Sequence, residues 1–182
     1  MTAAVRRAYG ELDRAQVVAA LHSLARRVGV QHVTMRDLAA ELGAAVPSVY
    51  YHVPGKQAAL DLLAESVLAE IPVPQTGPWD TRLVDLYCAA REVILAVPGV
   101  AGTLQKNRSS ECARRLDRLS RSLLIEAGLT KTVAAAAHTV LYTYLLGSVS
   151  LEEARGRRHA AARFRAGLDV IVAGVKVSAE DR

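Results

Sequence analysis

Residues 33–53 read VTMRDLAAELGAAVPSVYYHV, and this stretch decides the fold. Thr34, followed three residues later by Asp37, marks a helix start. Met35, Leu38 and Leu42 then fall on one face until Gly43, a residue suited to the left-handed end of a helix. Pro47 stands in the first turn of a second short helix, where its missing N–H costs nothing. Val46, Val49 and Val53 can face the core together, while Ser48, Tyr51 and His52 point elsewhere. Two short helices joined by a tight turn that holds a glycine describe a helix-turn-helix. The second helix closes on adjacent tyrosines, two of only six in a chain of 182 residues.

On the amino-terminal side, Leu12-Asp13-Arg14-Ala15-Gln16 reads as a helix start. Asp13 caps, Gln16 reaches back, Leu12 staples onto Val17, and Val17, Leu21, Leu24 and Val28 repeat at helical spacing until Gly29. On the other side Gly55 breaks the chain, and Gln57 to Ile71 reads as a helix with Leu60, Leu63, Ala64, Val67 and Ile71 inward. IPVPQTGP, residues 71–78, carries three prolines and a glycine and marks a linker. The boundaries are therefore 1–71, a linker at 72–78, and 79–182.

Helical patterns continue beyond the linker: Trp79 to Ala96, a short segment from Val100 to Lys106, Ser110 to Ala127, Lys131 to about Leu151, and His159 to about Val175. An arginine-rich loop is expected around residues 153–158. The fold class is all-α. The net charge is +5, and only four of the 23 basic residues are lysine, a balance that suits a polyanionic partner. Cys88 and Cys112 lack metal or disulfide spacing and read as small buried hydrophobes, which fits a reducing compartment. Residues 1–14 hold no apolar run that could serve as an export leader, so a cytoplasmic protein is expected.

Thr132 to Leu151 carries no charge for 20 residues, the length of a membrane span. Its interior holds His138, Thr139, Tyr142, Thr143, Tyr144 and Ser148, polar groups that need partners. The segment therefore reads as a helix buried within protein, with no membrane.

TMRDLAAELG, then PSVYYHVPGK, then an apolar helix with Leu60, resembles the amino-terminal domain of the tetracycline-repressor (TetR) family of bacterial transcription regulators. The likeness runs from about Leu12 to Ile71. WDTRLVDLYCAAREVILAVPGV and FRAGLDVIVAGV are similar to the carboxy-terminal regulatory domain near the namesake repressor. The resemblance implies a homodimer that binds a palindromic double-stranded DNA operator and releases it when a small molecule enters the second domain. By the same resemblance Tyr50 and Tyr51 lie at the DNA surface, Lys56 touches phosphate, Thr34 and Ser48 match hydroxyls that hold the backbone, and His52 matches a further backbone contact. Arg36 takes the place of a guanine-reading arginine, although a solvated or salt-bridged role stays open. Ala45 and Val46, ahead of Pro47, offer only apolar contact, such as to a thymine methyl.

At the place of the family's metal-chelate histidine stands Pro72, and no His/Asp/Glu cluster replaces it, so neither metal nor cofactor is expected. A pocket is expected instead from His138 and Tyr142, four apart on the uncharged helix, and from Tyr87 and Arg91, four apart on the helix after the linker. A histidine satisfied within the core is the competing reading of His138. The last two helices, with Leu141, Leu145, Leu168, Val170 and Ile171, are expected at the dimer contact, with Tyr144 a further candidate. The function implied is a repressor relieved by a small, mainly apolar molecule. A ligand-independent or activating regulator remains an alternative, and a helical enzyme a distant one, since no nucleophile-base set or phosphate loop is visible.

Overall fold

A computed structural model describes residues 12–106, 110–156 and 158–180. Residues 1–11, most of the stretch read for a leader, and Arg157 of the arginine-rich loop lie outside them. The described residues form only helices: α1 Arg14–Val28, a 3-10 turn Val30–His32, α2 Met35–Leu42, α3 Val46–His52, α4 Lys56–Ala69, α5 Trp79–Leu95, α6 Val100–Lys106, α7 Glu111–Glu126, α8 Lys131–Arg155 and α9 Ala160–Glu180. The all-α expectation holds, and the expected linker falls in the non-helical stretch between α4 and α5.

Local chemistry explains the ends of the first helices. The Asp13 carboxylate accepts the Gln16 N–H at 2.7 Å, and the Gln16 side chain accepts the Asp13 N–H at 3.2 Å, which satisfies two donors that the helix itself cannot. Gly43 ends α2 at φ 61° and ψ 29°, the left-handed conformation that a side chain disfavours. Pro47 is the second residue of α3. Val17, Leu21 and Leu24 of α1, Leu38 of α2, Val49 of α3 and Leu63 and Val67 of α4 are buried together.

His22 of α1 is buried beside α4. The Ser66 hydroxyl donates to the Leu63 carbonyl at 2.7 Å, so its oxygen accepts from His22 Nε2 at 2.8 Å. The ring must then carry its proton on Nε2, which leaves Nδ1 buried without a partner. Burial, partly offset by Glu70, holds the imidazole below its ordinary value of 6.5.

The second half is organised around α5. Near its start, Asp80 meets Lys176 of α9 at 2.6 Å and Arg82 meets Glu126 at the end of α7 at 3.0 Å. Near its end, Arg91 is only 4% exposed, and its Nε and Nη2 donate to the two carboxylate oxygens of Glu152 at 2.8 and 2.5 Å. Just beyond, the Val30 N–H donates to the Pro98 carbonyl at 3.0 Å, and the Gly99 N–H donates to Glu153 at 2.8 Å. The end of α8 therefore lies at the same end of the molecule as the joint with the amino-terminal domain.

Several expectations are corrected. α8 continues to Arg155 because Glu152 turns inward to Arg91, so the arginine-rich loop shortens to the turn between α8 and α9. α9 runs on to Glu180. Leu141, Leu145 and Leu168, expected at a subunit contact, are buried within their own subunit, whereas Val140, Leu151, Val170 and Val177 are exposed. Tyr144 is also spent internally: it stacks on Phe164 at 5.1 Å and donates to the Phe164 carbonyl at 3.1 Å. A Cβ at Gly167 would lie 2.0 Å from that phenol oxygen, so any side chain there would have to displace the Tyr144 ring.

By length and composition α8 could cross a membrane. Here it packs against α5, α6, α7 and α9, and its polar side chains find protein partners. Tyr142 donates to the Leu104 carbonyl at 3.0 Å, and Thr139 to the Ala135 carbonyl at 3.0 Å.

Two stability predictions follow from these buried groups. Glu152→Ala removes the buried carboxylate of Arg91 and leaves it only the exposed Glu92, which should destabilise the fold by about 2–3 kcal/mol, below the full cost of an unpaired buried charge. Urea unfolding checks this, and a loss under about 1 kcal/mol would show that water reaches the guanidinium. For His22, folding favours the neutral ring, so its contribution is complete above 6.5 and fades as pH falls through that value. Unfolding measured at pH 7.5 and 5.5 should therefore show a smaller acid loss in His22→Gln than in the parent chain; equal losses would contradict this assignment.

Candidate functional site

The helix-turn-helix presents an outer ridge. Arg36 is exposed on α2, and Pro47 is exposed in the first turn of α3. Tyr50 is 47% and Tyr51 77% exposed, and Tyr51 meets the His52 ring edge-to-face at 5.2 Å. His52 and Val46 are half-buried. The Tyr50 and Tyr51 phenols and the Arg36 guanidinium are thus exposed on α3 and α2, groups suited to phosphate and base edges, while His52 borders a concavity shared with Arg14 and Asp61. The carboxylate of Glu41, near the end of α2, is tied to Arg27 at 2.7 Å and Ser23 at 2.6 Å. The hydrogen bond from Arg27 holds it below its ordinary pKa.

Three neighbouring expectations change in detail. Ser48 is buried rather than outward, because on a seven-residue helix packed against α2 the inner stripe takes residue 48 along with Val49. It is therefore corrected from a surface hydroxyl to a buried one. The Thr34 hydroxyl accepts the Asp37 N–H at 3.1 Å and donates to the Asp37 carboxylate at 2.6 Å, so its proton serves the cap of α2. Lys56 opens α4 as expected, and its ammonium donates to the Gln31 carbonyl at 3.0 Å. That contact fixes the cation beside the 3-10 turn.

In the second half a cavity of about 290 Å³ opens between α4, α5, α6, α7 and α8. Leu68 and Ile71 wall it from the α4 side, Leu86 and Ile94 from α5, and Leu145 and Leu146 from α8. One side is polar. His138 Nε2 lies 2.8 Å from Asp117, which also receives Arg121 at 2.9 Å. Asp117 can only accept, so it fixes the imidazole proton on Nε2. Nδ1 shares a hydrogen bond with the Tyr87 hydroxyl at 3.3 Å, and that hydroxyl shares another with the Ser120 hydroxyl at 3.0 Å. Burial pushes the Tyr87 phenol above its ordinary value, so it stays protonated and serves as a neutral hydrogen-bonding group. Tyr142 stacks near His138 at 6.2 Å.

Tyr87, His138 and Tyr142 thus line one cavity, as expected from their spacing. Arg91 does not, and its place in the expected pocket is corrected. It shares α5 with Tyr87, but its side chain turns to Glu152 and Glu92 and lies over the Phe164 ring at 5.7 Å. A buried guanidinium needs a carboxylate, and α8 supplies one. Asp117 and Ser120 escaped the sequence reading. The signal was present, since Ser120 interrupts an apolar stripe of α7 that includes Leu116, Leu123 and Leu124. Cys88 and Cys112 are free thiols, and burial is the first cause that pushes both above their ordinary value, which disfavours the reactive thiolate. Among the described residues no three His, Cys, Asp or Glu side chains converge as metal ligands would.

The cavity and the ridge are joined by α4. Lys56 begins it and Leu68 near its end walls the cavity. Midway, Glu65 accepts the Cys112 N–H at 3.0 Å at the start of α7.

Comparisons with known proteins agree with this geometry. The bacterial regulatory proteins of the tetR family match residues 17–63, and the tetracyclin repressor-like C-terminal domain matches residues 71–163. An HTH-type transcriptional regulator of Saccharopolyspora erythraea is 32% identical over 145 residues, which cover 78% of this chain and 61% of that protein. The class A tetracycline repressor of transposon 1721 from Escherichia coli is 32% identical over 151 residues, 81% of this chain and 69% of the repressor. Among solved structures, a TetR variant from Acinetobacter baumannii AYE in complex with minocycline aligns at TM-score 0.84 and 28% identity, covering 93% of this chain and 99% of that one. BioQ with its double-stranded DNA operator aligns at TM-score 0.81 and 25% identity, covering 92% and 99%. The chain belongs to the TetR family of bacterial regulatory proteins.

Proposed function

We propose that the protein is a cytoplasmic homodimeric transcriptional repressor that binds a palindromic DNA operator through the α2–α3 ridge and is released by a small, mainly apolar molecule held in the cavity. The observation that carries this reading is α4, one helix of 14 residues, about 21 Å long, with a phosphate-seeking lysine at one end and a cavity wall at the other. A rigid helix transmits displacement along its length, so filling the cavity can alter where the ridge points.

Dimer geometry turns that into release. Val140, Gly147 and Leu151 on α8 and Val170, Gly174 and Val177 on α9 form neighbouring stripes of exposed apolar or small residues, which favours these helices as the subunit contact. In such a pair the two copies of α3 must stand about 34 Å apart to enter successive major grooves. A ligand that prefers another spacing weakens operator binding. A hundredfold preference corresponds to about 2.7 kcal/mol.

The lining supports the ligand's chemistry. Its walls are mostly leucine, isoleucine and alanine, and its polar side is a hydrogen-bonded chain of Ser120, Tyr87 and His138 ending on Asp117, which also receives Arg121. A mainly apolar molecule with one or two hydrogen-bonding groups complements such a surface. A tetracycline-like metal chelate does not, because exposed Pro72 stands where the family's histidine would and offers no donor.

Two measurements test the reading. Arg36→Ala should cost about 1–3 kcal/mol of operator affinity and relax the preference at one base position; a base-by-base binding profile unchanged by the substitution would remove Arg36 from base reading. Compounds that raise the melting temperature of the parent protein in a metabolite screen should lose most of that effect with His138→Ala, while operator affinity stays within about twofold. Full retention of the shift would take His138 out of the ligand site. A screen without any stabilising compound would favour a regulator that works without ligand.

A further inference from the structure

The turn between α8 and α9 gathers positive charge. Arg155, Arg158, His159 and Arg163 line a concavity of about 600 Å³ together with Tyr144, Leu151 and Phe164, and all four basic side chains are exposed. Among the described residues no carboxylate lies within ion-pair distance of them. The acids of the region are committed elsewhere: Glu152 to Arg91, Glu153 to the Gly99 N–H, and Asp169 to Arg165. The corner is thus an uncompensated cluster of three arginines and a histidine.

Its position gives it a partner. Glu153 ties the end of α8 to Gly99; Pro98 is tied to Val30, and the adjacent Gln31 holds the Lys56 ammonium. The corner therefore sits at the end of the regulatory domain that abuts the DNA-binding domain, on the side where α4 begins. The opposite end of α8 is Lys131, and 25 helical residues separate the two by about 37 Å. If α8 and α9 form the subunit contact, as Leu151 beside the corner favours, the corners of both subunits lie side by side near the two-fold axis, between the two ridges.

We propose that the α8–α9 corner is a second DNA-contacting surface, which engages the sugar-phosphate backbone of the duplex between the two recognition helices. The inference rests on the proposed DNA-binding function. The occupant is duplex phosphate because the cluster offers several guanidinium groups in one concavity and lies at the end of the protein that meets DNA. Phosphate contacts of this kind carry no base preference, so the corner adds affinity and salt dependence to every sequence alike.

The test compares Arg155→Gln/Arg158→Gln with Arg118→Gln/Lys131→Gln, which removes the same charge from exposed positions on α7 and at the far end of α8. Binding of each dimer to an arbitrary duplex of about 40 base pairs, roughly four helical turns, is measured across salt concentrations, with subunit association checked by sedimentation. The corner variant should lose about 1.8 units of slope in the logarithmic salt plot, near 0.9 for each phosphate contact, and bind at least tenfold more weakly at low salt. The control should lose less than about half a unit. Equal changes in both variants would mean general charge attraction and overturn the proposal, as would a corner variant that matches the parent. A corner variant that falls apart into monomers would assign the arginines to the subunit contact instead. A parent protein that ignores duplex DNA would overturn the DNA-binding function and this inference together, whereas normal parental binding with an unchanged corner variant would sink the inference alone.

Discussion

The hydrogen bond from Val30 to the Pro98 carbonyl is the joint on which the arrangement of the molecule depends. It joins the turn after α1 to the turn after α5, two loops from different halves of the chain. Backbone groups left unpaired at such a seam would cost about 1–3 kcal/mol each, so the loops hold their register. Beside it, Lys56 is seated on Gln31 and the end of α8 on Gly99. Loosening this seam would free the ridge from the cavity, and α4 alone would carry the connection.

The buried charges follow the same logic of paired commitment. Arg91 has its carboxylate, and the half-buried Asp117 has His138 and Arg121 against it, so each charge meets a partner within the protein. The exception is the α8–α9 corner, where basic groups stand together without acids. A chain with net charge +5 has positive charge to spare, and its distribution rather than its total distinguishes a surface for DNA from a merely soluble face.

Much of this was legible in the sequence, for identifiable reasons. Caps, glycine stops and the proline of α3 act within a few residues, so the helix-turn-helix and the outward Tyr51 could be read directly, whereas Tyr50 came from the family resemblance and Ser48 turned out buried. The cavity was half legible. Spacing by four placed His138 with Tyr142, but spacing on one helix cannot say which side faces which neighbour, and Arg91 was misplaced for that reason. Its partner Glu152 is 61 residues away, and no local pattern announces a pairing over such a separation. The same limit hid the pairing of Asp117 with His138, although Ser120 did leave a local mark as the polar break in the apolar stripe of α7. Leu141, Leu145 and Leu168 were misassigned to an outer face, whereas Val170 is exposed; α8 is apolar on nearly every side, so periodicity alone could not rank Leu141 against Val140.

On the proposed function, a molecule in the cavity walled by Leu68 and DNA at the Lys56 end of the same helix are linked, and linkage is reciprocal: whatever factor the small molecule takes from operator affinity, the operator takes from affinity for the small molecule. Promoter-bound and free dimers in one cell would then answer to different inducer concentrations. A surplus of unbound regulator would fill first and blunt the response, so on that mechanism the copy number of the protein would set the dose at which its target genes open.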